Sequence, residues 1–132
     1  MNVQFFDRED ESDPRNGETF SDTRDLAAFI DELRSRPPFF CELIGSNNYK
    51  LMVGIGGDTG CVQYSASDGT PPYLMAVDRN VSSDEEYMEF LASGTLTPVN
   101  RRYCLPLDVV KTLVASFVKG GGMSSLIDWE EI

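Results

Sequence analysis

Apolar residues recur at helical spacing in two stretches of the chain. The first stretch is SDTRDLAAFIDELRSRPP, where the apolar positions i, i+3, i+4 and i+7 are Leu26, Phe29, Ile30 and Leu33. This spacing predicts a helix that buries one face. Ser21 is a candidate N-cap, and Pro37 ends the helix because proline lacks the amide hydrogen that a helix interior requires.

A second apolar stripe lies in PLDVVKTLVASFVKGGG, at Leu107, Val110, Leu113, Val114 and Phe117. Pro106 suits the first helical position, and Gly120 or Gly121 can adopt the left-handed backbone that ends a helix. The sequence therefore predicts a second helix that starts at the proline and stops at the glycines.

From Phe39 to Val77 the period changes to that of strands. The runs FFCELI, YKLMVGI, CVQYSA and PYLMAV are short, apolar or alternating, and rich in aromatic and β-branched residues. GSNN, GGDTG and SDGTP separate them and are turn signals. Because the segments between these strands are too short for crossover helices, we expect consecutive strands to pair antiparallel. A short first strand, Val3–Phe6, and an extended C-terminal tail complete the pattern.

Residues 82–93 fit two different elements. A serine at 82 or 83 with a glutamate three residues later is typical of a helix-capping box. In contrast, Met88, Phe90 and Ala92 alternate with their neighbours as in a strand, and TPVNRRYCLP follows as a suitable hairpin partner. The pattern favours a strand pair and leaves the helix as an alternative.

These elements predict one domain over residues 1–132, of the α+β class. We expect a single antiparallel β-sheet of about five to seven strands with two main α-helices packed on one face. The polar segment 7–18, DREDESDPRNGE, is predicted to be a flexible acidic loop. Whether this loop contacts a partner or only adds solubility stays open.

The net charge of the chain indicates which class of partner it binds. The 132 residues include 22 acidic and 11 basic residues and no histidine, which gives a net charge of −11. Such a surface disfavours nucleic acid and membranes and attracts basic proteins, although it also promotes solubility. No secretion signal and no membrane-spanning run is visible, and Cys41, Cys61 and Cys104 lack metal or disulfide spacing. We therefore expect a cytoplasmic protein.

The glycine-rich stretch GIGGDTG raises the possibility of a phosphate loop. Gly54 and Gly56 match the first two positions of a dinucleotide fingerprint, but Thr59 occupies the third and a strand pattern follows. No Lys-Ser or Lys-Thr follows Gly60, as a Walker loop requires. We interpret the stretch as a hairpin with Asp58 at its tip.

Candidate catalytic chemistry is sparse. Histidine, the commonest general base and metal ligand, is missing, and the three cysteines make no zinc pattern. A carboxylate pair within residues 84–89 remains, although adjacent acids are expected by chance in so acidic a chain. The sequence predicts a protein that is not an enzyme and uses no cofactor or metal, with a small carboxylate-dependent hydrolase as the alternative.

The C-terminal third carries a family pattern. A proline-started helix contains Phe117, followed four residues later by Gly121 and eight residues beyond by Trp129, with Ile127 two positions before the tryptophan. This ending resembles that of the first-numbered immunity-protein family of bacterial polymorphic toxin systems. A looser likeness covers residues 20–131.

The resemblance implies a cytoplasmic inhibitor of a secreted toxin, often a nucleic-acid deaminase and sometimes a nuclease. We expect exposed acids to occupy the basic cleft of that toxin. An acidic adaptor or DNA mimic for another basic partner is the alternative. A monomer is expected, and open sheet edges leave a dimer possible. The toxin-binding candidates are Asp58, Asp68, Asp84, Glu85, Glu86 and Glu89, and the structural motif is Phe117, Gly121, Ile127 and Trp129.

Overall fold

The computed structural model describes residues 1–81 and 86–132 and combines one large sheet with two α-helices. The helices are α1 (Thr23–Leu33) and α2 (Leu107–Gly120), and a 3₁₀ turn spans Arg101–Tyr103. The strands are β1 (Val3–Phe6), β2 (Thr19–Phe20), β3 (Phe39–Gly45), β4 (Tyr49–Gly56), β5 (Thr59–Ala66), β6 (Leu74–Val77), β7 (Tyr87–Ala92), β8 (Thr95–Asn100), β9 (Leu105–Pro106) and β10 (Asp128–Glu131).

The main path of the sheet runs β10-β6-β5-β4-β3-β1-β2, and its neighbours pair antiparallel. β7 joins β3 through one parallel pairing, Phe39 with Leu91, beyond the point at which β1 stops pairing with β3 at Glu42. β8 pairs with β7, and β9 pairs with β5. The β7–β8 hairpin is therefore attached at one edge of β3.

The prediction of five to seven strands is wrong, because the described residues form ten. β2 and β9 contain two residues each, which is too short for any alternation to appear in the sequence. β9 also falls on Leu105–Pro106, at the point where the sequence predicts the start of a helix. One pairing is parallel, so the sheet is not wholly antiparallel. The chain is α+β in the broad sense, but the sheet dominates it.

Both helices form where the apolar stripes predict them, with different caps. The carboxylate of Asp22, rather than Ser21, caps α1 by accepting from the amides of Arg24 and Asp25. Pro106 is the N-cap of α2 rather than its first helical residue, and Gly121 ends the helix at φ +72°. The Gly121 amide donates to the Phe117 carbonyl oxygen at 2.7 Å, which closes the last turn.

The main core lies between the helices and one face of the sheet. Both helical stripes bury their side chains in the same cluster as alternate residues of the strands. Phe117 is fully buried there, and Phe29 packs edge-on against Phe5 with ring centroids 4.7 Å apart. The strand residues of this cluster include Val3, Phe5, Cys41, Leu43, Leu51, Val53, Ile55 and Val62.

A second, smaller cluster lies on the opposite, helix-free face of the sheet. Phe90 of β7 is fully buried there with Cys61 and Met75, and its ring centroid is 5.4 Å from that of Phe40. A side chain at Gly54 would place its Cβ 3.1 Å from the Phe90 ring and 2.5 Å from Cys61 Sγ. The β7–β8 hairpin is therefore held over this face by the close approach of an aromatic ring to a glycine.

The glycine-rich stretch is the predicted hairpin and not a phosphate loop. β4 and β5 pair along their whole lengths and are joined by Gly57 and Asp58, with Gly57 at φ +61°. The turn leads into strand β5 and not into a helix, as a phosphate-binding loop would. The strand interpretation of residues 82–93 is also correct over Tyr87–Ala92, while 82–85 lie outside the described residues.

Neither helix described here is long and apolar enough to cross a bilayer.

Candidate functional site

The six predicted contact acids do not share one surface. Asp58 and Asp68 flank the two ends of β5, whose eight residues separate them by roughly 26 Å at about 3.3 Å per residue. Asp84 and Glu85 lie outside the described residues. Glu86 and Glu89 belong to the β7 region, where both are exposed. Of the described candidates, only Glu86 and Glu89 lie near each other, and this follows from their positions three residues apart in sequence.

Asp58 takes part in an ion-pair network that joins three elements. Its carboxylate pairs with Arg34, which follows α1, and Arg34 also lies 3.7 Å from Asp31. Lys111 of α2 approaches Asp31 at 2.6 Å, and this contact is the main cause of the lowered pKa of that exposed carboxyl. The Leu107 amide donates to the Asp58 carbonyl oxygen at 2.8 Å. Asp58 thus connects the β4–β5 turn to both helices.

Asp68 caps its own turn. Its carboxylate accepts from the Thr70 amide at 3.0 Å and from the Thr70 hydroxyl at 2.7 Å. These two hydrogen bonds lower the pKa of the Asp68 carboxyl, which is fully exposed. The side chain stabilises the turn after β5 and is oriented by it.

Most of the positive charge is offset within the chain. Eight of the eleven basic residues approach a carboxylate within 4.0 Å in the part of the chain that the structure describes. The surplus acids consequently set the sign of the outer surface. The paired bases are Arg8, Arg15, Arg34, Arg36, Lys50, Arg79, Arg102 and Lys111.

A row of side chains crosses the helix-free face of the sheet. Strand register aligns five residues on β3, β4, β5, β6 and β10, and directly opposed residues point to the same face. Carboxylates stand at both ends of the row and apolar or amide groups in the middle. In spatial order these residues are Glu42, Met52, Gln63, Met75 and Glu130.

The three central residues of this row line an open cleft of about 430 Å³. Met52, Gln63 and Met75 lie at the bottom, and the β7–β8 hairpin forms one side. The opposite side is formed by residues that follow the hairpin and by the C-terminal residue. The wall residues include Tyr87, Thr97, Val99, Tyr103 and Ile132. We call this the hairpin cleft; it is predominantly apolar and open to solvent.

A hydrogen-bonded trio fixes one wall of the hairpin cleft. Arg102 donates to Glu130 at 2.6 Å and to the Tyr103 hydroxyl at 2.7 Å, and that hydroxyl donates to Glu130 at 3.0 Å. Desolvation is the main cause of the raised pKa of Tyr103, so the phenol stays protonated at neutral pH. The trio ties the 3₁₀ turn to β10.

The sequence reasoning missed the hairpin cleft, although a signal for it exists. Met52 and Met75 occupy the strand positions that alternation assigns to the face opposite the helices. Apolar side chains at such positions indicate a second covered or contact face. What the sequence does not contain is the direction in which the β7–β8 hairpin bends.

The C-terminal motif holds β10 in place. Phe117 lies in the main core, and the Gly121 carbonyl oxygen accepts from Asn47 Nδ2 at 2.8 Å. Trp129 Nε1 donates to the Ser124 carbonyl oxygen at 2.9 Å, its ring meets Tyr64 edge-on, and Ile127 packs at the border of the core. Through these contacts the motif positions β10, whose Glu130 binds Arg102 and the cleft residue Tyr103.

The cysteines do not form a reactive centre. Burial raises the pKa of the Cys41 thiol from 9.0 to about 12 and also raises the pKa of Cys61, and desolvation raises that of the half-buried Cys104. All three are free thiols. Among the residues described, no three Cys, Asp or Glu side chains are grouped as a metal site.

Thiol labelling tests this protection. Because the thiolate is the reactive form, we expect Cys41 and Cys61 to stay unmodified by a disulfide reagent at pH 8, with Cys104 reacting slowly. The pKa of the Cys41 thiol is about 12 in the folded protein and 9.0 without burial. The contribution of this thiol to the free energy of unfolding is therefore intact below pH 9 and is lost between pH 9 and 12, where the thiol of the unfolded chain ionises first. Rapid labelling of all three thiols in the native protein would contradict the burial described.

The chain was compared with models of known protein families. The model of the family described as Immunity protein Imm1 matches residues 14–131. No curated protein matches the chain.

Proposed function

The chain belongs to the Imm1 family of immunity proteins, and from this membership we propose that it binds and inhibits a cognate secreted toxin that acts on nucleic acid. A deaminase or a nuclease is the activity that suits such an inhibitor best. The observation that carries the proposal is the net charge of −11, together with the internal pairing of most basic side chains. We place the protein in the cytoplasm of the producing cell, as a monomer.

Steric and electrostatic occlusion explains the inhibition. An enzyme that acts on nucleic acid binds phosphates through clustered Lys and Arg. An acidic protein seated on such a cleft excludes the substrate and satisfies the same positive charges. The inhibitor contributes no bond-breaking chemistry of its own, so it needs neither a cofactor nor a metal.

Among the predicted acids, those beside β7 are the best placed for this role. Glu86 and Glu89 are exposed and lie within two residues of Tyr87, which lines the hairpin cleft, and Asp84 and Glu85 immediately precede them in sequence. We therefore assign the toxin contact to the 84–89 segment, which includes a lining residue of the hairpin cleft, ahead of Asp58 and Asp68, whose turns do not line it.

Co-expression tests the proposed function. The chain is produced together with the toxin domain encoded by the neighbouring reading frame, and growth and co-purification are measured. We expect growth to be restored and the two proteins to purify at one to one. Growth without a complex would indicate action on the toxin's target. No rescue from a demonstrably active toxin would reject immunity and favour an acidic adaptor for another basic partner.

Association kinetics test the electrostatic part of the proposal. The association rate constant with the purified toxin domain should fall about tenfold or more between roughly 50 and 500 mM NaCl, since salt screens the attraction that steers the partners together. Glu86→Gln with Glu89→Gln should slow association at low salt.

A matched control changes the same charge elsewhere. Asp25→Asn with Asp108→Asn removes two acids from the first turns of the helices, away from the hairpin cleft. We expect a smaller effect on association from this pair. A rate that is independent of salt, or equal for the two double variants, would contradict the steering role of the β7 acids.

A further inference from the structure

We propose that the hairpin cleft is the surface that receives the toxin, and that it takes an apolar or aromatic side chain projecting from a basic region of that toxin. The proposal rests on the proposed function and adds the contact face and the chemistry of the group bound. The helices then lie on the far side of the molecule, outside the contact.

The first argument is the composition and size of the hairpin cleft. Its volume of about 430 Å³ falls within the roughly 300–1,000 Å³ that ligand pockets span. Met52 and Met75 at its floor are flexible thioethers that adapt to an inserted apolar group. Tyr87 is 54% exposed at its rim, in the type of position where tyrosine contributes strongly to binding.

The second argument is charge complementarity. Glu86 directly precedes the rim residue Tyr87 in sequence, Glu89 follows it two residues later, both are exposed, and the chain as a whole carries −11. A toxin side chain that is apolar and surrounded by Lys and Arg therefore binds at this rim more favourably than an apolar side chain on a neutral or acidic surface. A second copy of the chain is disfavoured as the occupant because two copies would repel each other.

The third argument is that the walls are already fixed before binding. Phe90 anchors the β7–β8 hairpin on Gly54 and Phe40, and the Arg102, Tyr103 and Glu130 trio ties the opposite wall to β10. A preformed site loses little conformational freedom when it binds its partner, which preserves affinity.

The test blocks the hairpin cleft without changing charge. Thr97 lies opposite Phe90 and lines the hairpin cleft, so Thr97→Trp fills its mouth. Thr112→Trp makes the same change at an exposed position of α2 and is the control.

A second pair of variants removes an aromatic group. Tyr87→Ala removes the tyrosine at the rim of the hairpin cleft. Its control, Tyr49→Ala, removes an exposed tyrosine that stacks on Tyr64 outside the hairpin cleft.

Each variant is first shown to be folded by circular dichroism and thermal unfolding. The dissociation constant with a catalytically inactive form of the toxin domain encoded next to this chain is then measured. We expect Thr97→Trp and Tyr87→Ala to weaken binding about 30-fold or more, the range of interface hot spots, and both controls to change it less than about threefold.

The outcomes separate this inference from the proposed function. If the wild type binds and inhibits the toxin but both cleft variants bind as tightly as it does, the contact lies elsewhere and the inference is wrong. Equal weakening in cleft and control variants also overturns it. If the wild type itself does not bind an active toxin, the proposed function fails together with the inference.

Discussion

The free energy of unfolding is expected to fall by about 3–5 kcal/mol when Phe90 is replaced by alanine. The ring is fully buried on the helix-free face, where it contacts the surface of Gly54 and the ring of Phe40. Truncation leaves a void beneath the β7–β8 hairpin, which is attached to β3 by a single pairing. Urea denaturation of the wild type and the variant, fitted to two states, measures the difference.

The control for Phe90→Ala is Leu96→Ala on the paired strand. Leu96 is 62% exposed, so its truncation should change stability by less than about 0.5 kcal/mol. We also expect Phe90→Ala to weaken toxin binding under conditions where the variant is still folded, because the hairpin forms one wall of the hairpin cleft. A loss of stability below about 1 kcal/mol would show that the ring is not the anchor described here.

The second large effect is expected from Arg36→Met. The Asp7 carboxylate is fully buried, and Arg36 Nη1 lies 2.9 Å from its Oδ2. Removing the guanidinium leaves a buried negative charge without its cation, which should cost about 3 kcal/mol, at the low end for buried pairs because Arg36 is itself about one-third exposed. Methionine keeps an apolar stem against the Phe39 ring, over which the guanidinium lies at 3.8 Å.

A double variant shows whether the effect comes from the unpaired charge. Asp7→Asn in the Arg36→Met background removes the charge that lost its partner and should recover part of the stability. Arg24→Met, at an exposed position of α1, is the control and should be nearly neutral. If Arg36→Met were as mild as Arg24→Met, the ion pair would not be what secures the 7–18 loop.

This ion pair also bears on the character of the 7–18 loop. Besides Arg36, the loop is held by Asn16, whose Oδ1 accepts from the Asp7 amide at 2.6 Å. Glu9 accepts from the Gly94 amide at 3.0 Å, so the loop meets the tip of the β7–β8 hairpin. Its flexibility, expected from composition, stays a prediction. One of the partners that bear on it, Gly94, is 85 residues from Glu9 in sequence.

The helices and the central strands were predictable because each carries a repeated local pattern. Leu26, Phe29, Ile30 and Leu33 repeat at helical spacing within the eleven-residue helix α1, and the sequences of β3 to β6 alternate between recognisable turns. The two-residue strands β2 and β9 contain no repeat to read, so the number of strands was underestimated. Pairing with distant strands, rather than local preference, creates these short elements.

The hairpin cleft was not predictable, because it depends on how the β7–β8 hairpin bends over the sheet. The row from Glu42 to Glu130 draws on five strands, and its alignment follows from the register of four separate pairings. The positions of the acids relative to one another could not be predicted from the sequence for the same reason. Asp58 and Asp68 flank one strand and are only ten residues apart in sequence, yet that strand separates them in space.

The C-terminal motif shows why a family pattern can be recognisable without touching a partner. Phe117 is buried, Gly121 ends α2 and Trp129 fixes the tail to Ser124. These roles concern folding, and they apply to any member that places β10 beside β6. In this chain the motif residues therefore serve the fold, and the proposed toxin contact lies at other residues.

The measurement that tests the central claim most directly is a titration of toxin activity. The toxin domain from the neighbouring reading frame is held at a fixed concentration well above the expected dissociation constant, and its action on nucleic acid is followed as purified chain is added. We predict a linear fall to complete inhibition at one chain per toxin. Full activity at a large excess of folded chain would contradict inhibition by direct binding.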